Sequence, residues 1–239
     1  MKNVSIAMFT MILVGYSSLT VADSVFHIKS KKEHSVQILE YGSEALLKRI
    51  QLIRSAQKSI ELEYFIFRPD LSGKVLVHEL IKKANEGVSV KILIDKNPLA
   101  PTLNRYLVQI LKRKNIQVKY YNPLKITNAS ELLFRNHRKL IIVDDMEVIT
   151  GGRNIGNEYF DYDKKFSFID RDIWIKGEIV KKIKKTFNKF WSYKNNIIPA
   201  LPKVKSEQML RLMSKAERDK VARLKSLIKT KLREAREFL

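Results

Sequence analysis

Apolar and polar positions divide this chain into short segments of helical and extended period. Leu46, Leu47, Ile50, Ile53 and Ala56 recur at helical spacing after Gly42-Ser43-Glu44 and predict a first helix. From Ser59 to Phe67 the pattern alternates and then turns wholly apolar, as in a strand entering the middle of a sheet; Arg68-Pro69-Asp70 ends it. Ser72 is placed to cap a second helix with Val75, Leu76, Leu80, Ile81 and Ala84 on one face, closed by Gly87. Val88 to Asp95 then reads as a strand. A strand, a helix of crossover length and a second strand suit parallel pairing, so the fold class is α/β.

Beyond the Pro98-Leu99-Ala100-Pro101 break, Leu103 to Leu111 reads as a helix and Gln117 to Tyr121 as a third strand. Asn122 to Arg135 has no clear period and contains Pro123, which predicts a loop. Leu140 to Val143 is a short apolar run suited to a buried strand, and Val148-Ile149 is the return arm of a hairpin turning at Asp144-Asp145. Asn157 to Phe168 is aromatic and charged and predicts a short helix and a loop. Phe168 to Gly177 reads as a further strand and turn. Ile179, Val180, Ile183, Phe187, Phe190 and Trp191 form the apolar face of a helix ending near Tyr193. A connector containing Pro199 and Pro202 leads to a tail, Ser206 to Leu239, whose apolar residues recur at broadly helical spacing among many lysines and arginines.

These patterns predict a globular domain over residues 43–194, preceded by a basic extension at 23–42 and followed by a connector and basic helical tail at 195–239. The first 22 residues have a different character: Lys2, an apolar segment from Val4 to Tyr16, then small residues up to Ala22. That is the pattern of a secretory signal peptide, and it predicts an exported protein, periplasmic or secreted, with association to a membrane as the further expectation. An uncleaved anchor is the alternative, although the apolar core is short against the ~20 residues of a membrane span.

The net charge of +21 changes the picture by pointing to a polyanionic partner: nucleic acid, an anionic bilayer or a phosphate-bearing substrate. Lysines spread evenly over a surface are the plainer explanation. The tail in turn suits anionic lipid, a dimer partner or simple solvation as an amphipathic helix. With no cysteine in the chain, disulfides, thiolate metal sites and a cysteine nucleophile are all excluded.

The candidate chemistry gathers around the apolar run at Leu140. His137 and Lys139 are two residues apart at its start and so share a face, from which both can meet a phosphate. The return arm ends at Gly151-Gly152, where backbone can approach a ligand closely, and Asn154 follows. A lysine, a carboxamide and backbone N–H groups stabilise charge developing on a phosphodiester without a metal or other cofactor. A neutral histidine can attack phosphorus.

The full spacing His137-x-Lys139-x4-Asp144-x6-Gly151-Gly152-x-Asn154 resembles the signature of the phospholipase D superfamily. Arg135-Asn136, the run Gly-Gly-Arg-Asn-Ile-Gly-Asn-Glu-Tyr-Phe at 151–160, and Arg171-Asp172 ahead of Ile175-x-Gly177 look most like the bacterial cardiolipin synthase branch, particularly its N-terminal half. The resemblance implies a mixed, largely parallel sheet flanked by helices, with the basic amphipathic helix appended at the C-terminus. It implies a two-step reaction through a phosphohistidine, in which a second imidazole protonates the leaving alcohol and then activates the acceptor. His137 is then one of the two imidazoles, Lys139 and Asn154 bind phosphate oxygens, and Asp172 is the acid that orients an imidazole. Asp144 is a structural turn residue, and Gly151 and Gly152 shape the site. Arg153 is either a phosphate contact or half of a surface pair, while Glu158 and Tyr159 shape the rim.

Such enzymes usually carry two motifs, and the other histidines, His27, His34 and His78, do not begin a second copy of this one. Small single-motif members complete the site across a homodimer, which makes His137 of a second copy the missing imidazole. A catalytically incomplete half of a two-motif enzyme is the other possibility. Three function classes follow: a phosphodiesterase or phosphatidyltransferase acting on glycerophospholipids, an exported nonspecific endonuclease, and a basic protein that binds lipid or nucleic acid without turnover.

Overall fold

Strand β3 (Ser59–Tyr64) is buried on both faces, and the other elements are arranged about it. Ile60, Leu62 and Tyr64 enter the larger of two apolar cores, while the period of two sends Glu61 and Glu63 to the opposite face. The computed structural model describes residues 25–29, 33–96, 103, 105–123, 134–200 and 226. Before β3 come β1 (Val25–Lys29), β2 (Glu33–Leu39) and helix α1 (Gly42–Ser55). After it come α2 (Leu71–Asn85), β4 (Ser89–Asp95), α3 (Arg105–Arg113) and β5 (Ile116–Tyr121). Then follow β6 (Leu140–Val143), β7 (Glu147–Gly151), a 3-10 turn at Asn157–Tyr159, β8 (Asp172–Lys176) and α4 (Ile179–Trp191).

The eight strands form one mixed sheet in the order β1-β2-β8-β7-β6-β3-β4-β5. Residues of α1, α2 and α3 share the larger core with one face of the sheet. On the other face Val180 and Phe187 of α4 pack with Leu93, Tyr121, Leu140, Ile142 and Val148. The class is mixed α/β, as anticipated, but the expected predominance of parallel pairing is corrected. Only β3–β4 and β4–β5 are parallel, each joined through a helix, and the other five pairings are antiparallel. The connection explains the difference between β6 and β7: Asp144 and Asp145 turn the chain with φ of 52° and 59°, too short a link for any parallel crossover.

Two further expectations change. Residues 33–39 are a sheet strand in register with β8, not a surface extension, and Leu39 is wholly buried, so the domain begins before residue 43. Helix α2 is capped by Asp70, whose carboxylate accepts from Gly73 N–H at 3.1 Å, because Ser72 is already inside the first turn with its hydroxyl on Asn157. The segments for which the sequence predicts a leader (1–22), most of a loop (124–133) and a basic helical tail (206–239, Ser226 apart) lie outside the described residues. Among the described residues no helix is long and apolar enough to cross a membrane.

Candidate active site

Antiparallel pairing of β6 with β3, β7 with β6 and β8 with β7 brings four chain ends to one edge of the sheet. Phe65 and Ile66 leave β3 there, and His137 and Lys139 approach β6. Gly151, Gly152 and Asn154 leave β7, and Asp170 leads into β8. These residues line a pocket of about 400 Å³, walled on its remaining side by Tyr159 and Phe168.

Within it the Lys139 Nζ lies 2.9 Å from His137 Nδ1 and donates to the His137 carbonyl oxygen at 2.6 Å. An ammonium has no lone pair, so Nδ1 is the acceptor and a neutral ring carries its proton on Nε2. Burial, and then the Lys139 cation, hold the His137 pKa below the ordinary imidazole value, so the ring is neutral at pH 7. Burial also lowers the Lys139 pKa, against the attraction of Asp170. Asn154 Oδ1 accepts from the Ile66 N–H at 3.1 Å, and the Asn154 side chain also bonds Tyr159. With its oxygen engaged by backbone and one N–H directed to Tyr159, the carboxamide has its other N–H to offer the pocket. The Phe65 ring packs on the imidazole with centroids 4.5 Å apart.

Residues 134–139 have no regular structure, and two buried carboxylates hold them in place. Asp95, at the end of β4, accepts from the backbone N–H of Asn136 at 2.7 Å and from Arg135 at 3.2 Å. Glu63 accepts from the Asn136 carboxamide and lies 3.4 Å from Arg138. Burial pushes the Glu63 pKa up to about 7, even though Arg138 and Asn136 pull it down.

The cardiolipin synthase, phospholipase D-like domain model matches residues 49–191, more than half of the chain. The chain belongs to the phospholipase D-like family. It is 39% identical over 199 residues to an uncharacterized protein of Helicobacter pylori, covering 77% of this chain and 39% of that one. It is 35% identical over 159 residues to a cardiolipin synthase of Geobacillus sp., covering 66% of this chain and 32% of the relative. The chain thus spans well under half the length of these curated relatives. In fold it is similar to Nuc from Salmonella typhimurium, a phospholipase D family member, with a TM-score of 0.54 and 21% identity over 70% of this chain and all of that one.

In this phospholipase D-like domain the motif residues divide between pocket and framework. His137, Lys139, Asn154 and Tyr159 line the pocket together with both glycines. A Cβ on Gly151 would stand 2.4 Å from the Arg171 carbonyl oxygen, where backbone leaves no room for a side chain, and one on Gly152 would stand 2.1 Å from an Asp170 carboxylate oxygen, which would have to move aside. Asp144 lies away from the pocket and accepts from the backbone N–H groups of Gln57, Lys58 and Ser59 at 2.8, 2.7 and 2.9 Å. Burial raises its pKa, but those three donors outweigh it and hold the pKa below the ordinary carboxylate value.

Asp172 does not reach the imidazole. Its carboxylate is buried with Arg49 at 3.0 Å and accepts from Arg153 N–H at 3.2 Å, so it serves the core beneath the site. Arg153 is neither a phosphate contact nor a surface pair. It is buried, and donates to the carbonyls of Tyr159, Leu39 and Glu40, tying β2 to the loop after β7. Glu158 is buried in an ion pair with Arg68 and is not a rim residue. The carboxylate that does face the pocket is Asp170, two residues before Asp172 and outside the motif spacing. Phe65 and Phe168 were likewise hidden in runs that read as strand. His27-Ile28-Lys29 repeats the His-x-Lys spacing, but position 34 is His where the motif has Asp, and β1 is the far edge strand. Among the described residues no group of three or more His, Asp or Glu is placed to hold a metal ion.

Proposed function

We propose that this domain is a phospholipase D-type phosphodiesterase or phosphatidyltransferase acting on glycerophospholipids through a phosphohistidine, with a second copy of the chain completing the site. The observation that carries the reading is a pocket holding one neutral imidazole beside an ammonium and a carboxamide, with no second imidazole among its lining residues. When phosphate enters, the Lys139 ammonium and the remaining Asn154 N–H bind its nonbridging oxygens. Transfer of Lys139 from Nδ1 to the phosphate frees Nδ1 to take the ring proton, so Nε2 can attack phosphorus with its lone pair. A P–N bond forms, the bond to the leaving alcohol breaks, and His137 of the second copy, charged to an imidazolium by facing the bound phosphate anion, gives that alcohol its extra proton and returns to the neutral form. The same partner imidazole then removes a proton from water or an acceptor alcohol, whose oxygen displaces phosphorus from nitrogen.

On this reading the leader at residues 1–22 directs the enzyme to the periplasm or exterior. The endonuclease alternative is favoured by one observation, the +21 net charge, which suits sequence-independent phosphate binding. The test offers the purified chain labelled phosphatidylcholine, phosphatidylglycerol and plasmid DNA in EDTA, beside a His137→Ala control, with mass measured by light scattering. Lipid turnover by a dimer, lost in the control, is the expected result. DNA nicking without lipid turnover overturns the lipid reading. A monomeric mass with no activity identifies an incomplete half.

A further inference from the structure

The wall of the pocket continues outward into a surface loop with several exposed apolar side chains. Phe166 and Phe168 are about half exposed, at 55% and 45%, and Ile169 is 99% exposed, three large apolar side chains standing in water within four residues. The loop is firmly held. Asp163 accepts from the Lys165 N–H at 2.8 Å, and Phe168 N–H donates to the Glu158 carbonyl at 2.8 Å, where Glu158 is itself pinned by Arg68. Phe168 packs on Tyr159 with ring centroids 4.9 Å apart, and Phe166 meets Phe168 edge-on at 5.3 Å, so the apolar ridge is continuous with the pocket. Lys164 and Lys165 are exposed at its base.

We propose that residues 164–169 dock on an anionic bilayer, with Phe166 and Ile169 entering the acyl layer and Lys164 and Lys165 meeting lipid phosphates, so that the pocket opens at headgroup level. The proposal rests on the lipid reading of the same pocket and adds how the substrate is reached. Charge and shape select this occupant. Apolar tips with Lys164 and Lys165 before them and Arg171 after them match the layering of a bilayer, acyl chain beyond phosphate, while the neighbouring acids are turned to the protein: Asp163 accepts from the Lys165 backbone and Asp170 faces the pocket. Single-stranded nucleic acid would use the two rings for stacking and the lysines for phosphate, but it leaves the wholly exposed, aliphatic Ile169 without a role.

The experiment uses the full chain in a His137→Ala background, so that binding is read apart from turnover. Sedimentation with phosphatidylglycerol vesicles is compared with sedimentation with phosphatidylcholine vesicles, before and after Phe166→Ser/Ile169→Ser. Preferential binding to the anionic vesicles that falls by about tenfold or more in the double variant is the expected result. Because the chain has no cysteine, Ile169→Cys accepts a single environment-sensitive fluorophore. Its emission should shift to the blue on vesicle addition and be quenched by brominated acyl chains. In the active background the same double variant should lose vesicle turnover yet keep cleavage of a short-chain, monomeric phosphodiester. Unchanged vesicle affinity in the double variant, or a label that stays in water, overturns the proposal. So does loss of single-stranded DNA binding with vesicle binding intact. Docking without any lipid turnover by the active chain would instead leave the docking surface standing and sink the lipid-enzyme reading.

Discussion

Replacing Glu63 by glutamine should stabilise the protein at neutral and higher pH. Glu63 lies on the interior strand β3, wholly buried, and bonds the segment that carries His137 and Lys139 through Asn136. Its pKa is pushed from an ordinary 4.5 to about 7, chiefly by burial. The native state therefore holds a proton that the unfolded chain releases between those two values. Stability falls as pH rises through this window, and the loss is complete above the native pKa. At 1.36 kcal/mol per unit the shift corresponds to about 3 kcal/mol above pH 7, an upper limit because the unfolded chain is not fully solvated. Glutamine retains an oxygen to accept from Asn136 and carries no charge to desolvate, so this pH dependence disappears. Urea denaturation of both proteins at pH 5, 6, 7 and 8 isolates the effect, because the other titrating groups cancel in the difference. The difference in unfolding free energy should rise by about 2–3 kcal/mol in favour of Glu63→Gln between pH 5 and pH 8. A pH-independent difference, or a variant less stable at pH 8 than at pH 5 relative to the parent, would refute the reasoning. The Arg138 ion pair would then outweigh desolvation.

The two acids before and in β8 should separate cleanly. Asp170→Asn should lower turnover about a hundredfold while leaving thermal stability unchanged, as expected of a carboxylate facing the pocket. Asp172→Ala should unfold more readily by about 3–5 kcal/mol, because it strands Arg49 and Arg153 in the core, and chemical denaturation would read it. Asp144→Ala removes the acceptor of three backbone N–H groups and should cost about 2–4 kcal/mol at pH 7. Since the native Asp144 pKa is lowered, that cost should fade only as pH drops below the ordinary carboxylate value, which urea titrations at pH 7 and pH 3 would resolve. Gly152→Ala should displace the Asp170 carboxylate and reduce turnover more than stability; a variant with full activity would show that the close approach is not needed.

Much of the fold follows from local periodicity. Helical spacing in α1, α2 and α4, and the apolar runs of β3, β4 and β6, are properties of neighbouring residues and need no knowledge of partners. The same holds for the site: His137 and Lys139 meet because residues two apart on an extended segment share a face, and the glycines mark where chains crowd. Direction of pairing was less legible. A βαβ pattern at β3 to β5 suggested a mixed but largely parallel sheet, whereas the hairpin at Asp144 and the pairing of β2 and β8 make the sheet mostly antiparallel.

What the amino-acid sequence determined by itself was the family, most of the elements and the polar groups His137, Lys139 and Asn154 that share the pocket, all set by spacing along one chain. Only the tertiary structure decided which charged groups belong to the pocket. Asp170 and Asp172 are both acidic and near the motif, but Arg49, 123 residues away, claims Asp172 for the core. Arg153 turns inward because the carbonyls of Leu39 and Glu40, more than a hundred residues away, converge on its guanidinium with that of nearby Tyr159. A buried charge is stable only where partners assemble around it, and those partners come from contacts far apart in sequence. The same assembly leaves one imidazole in the pocket and an apolar ridge at its mouth.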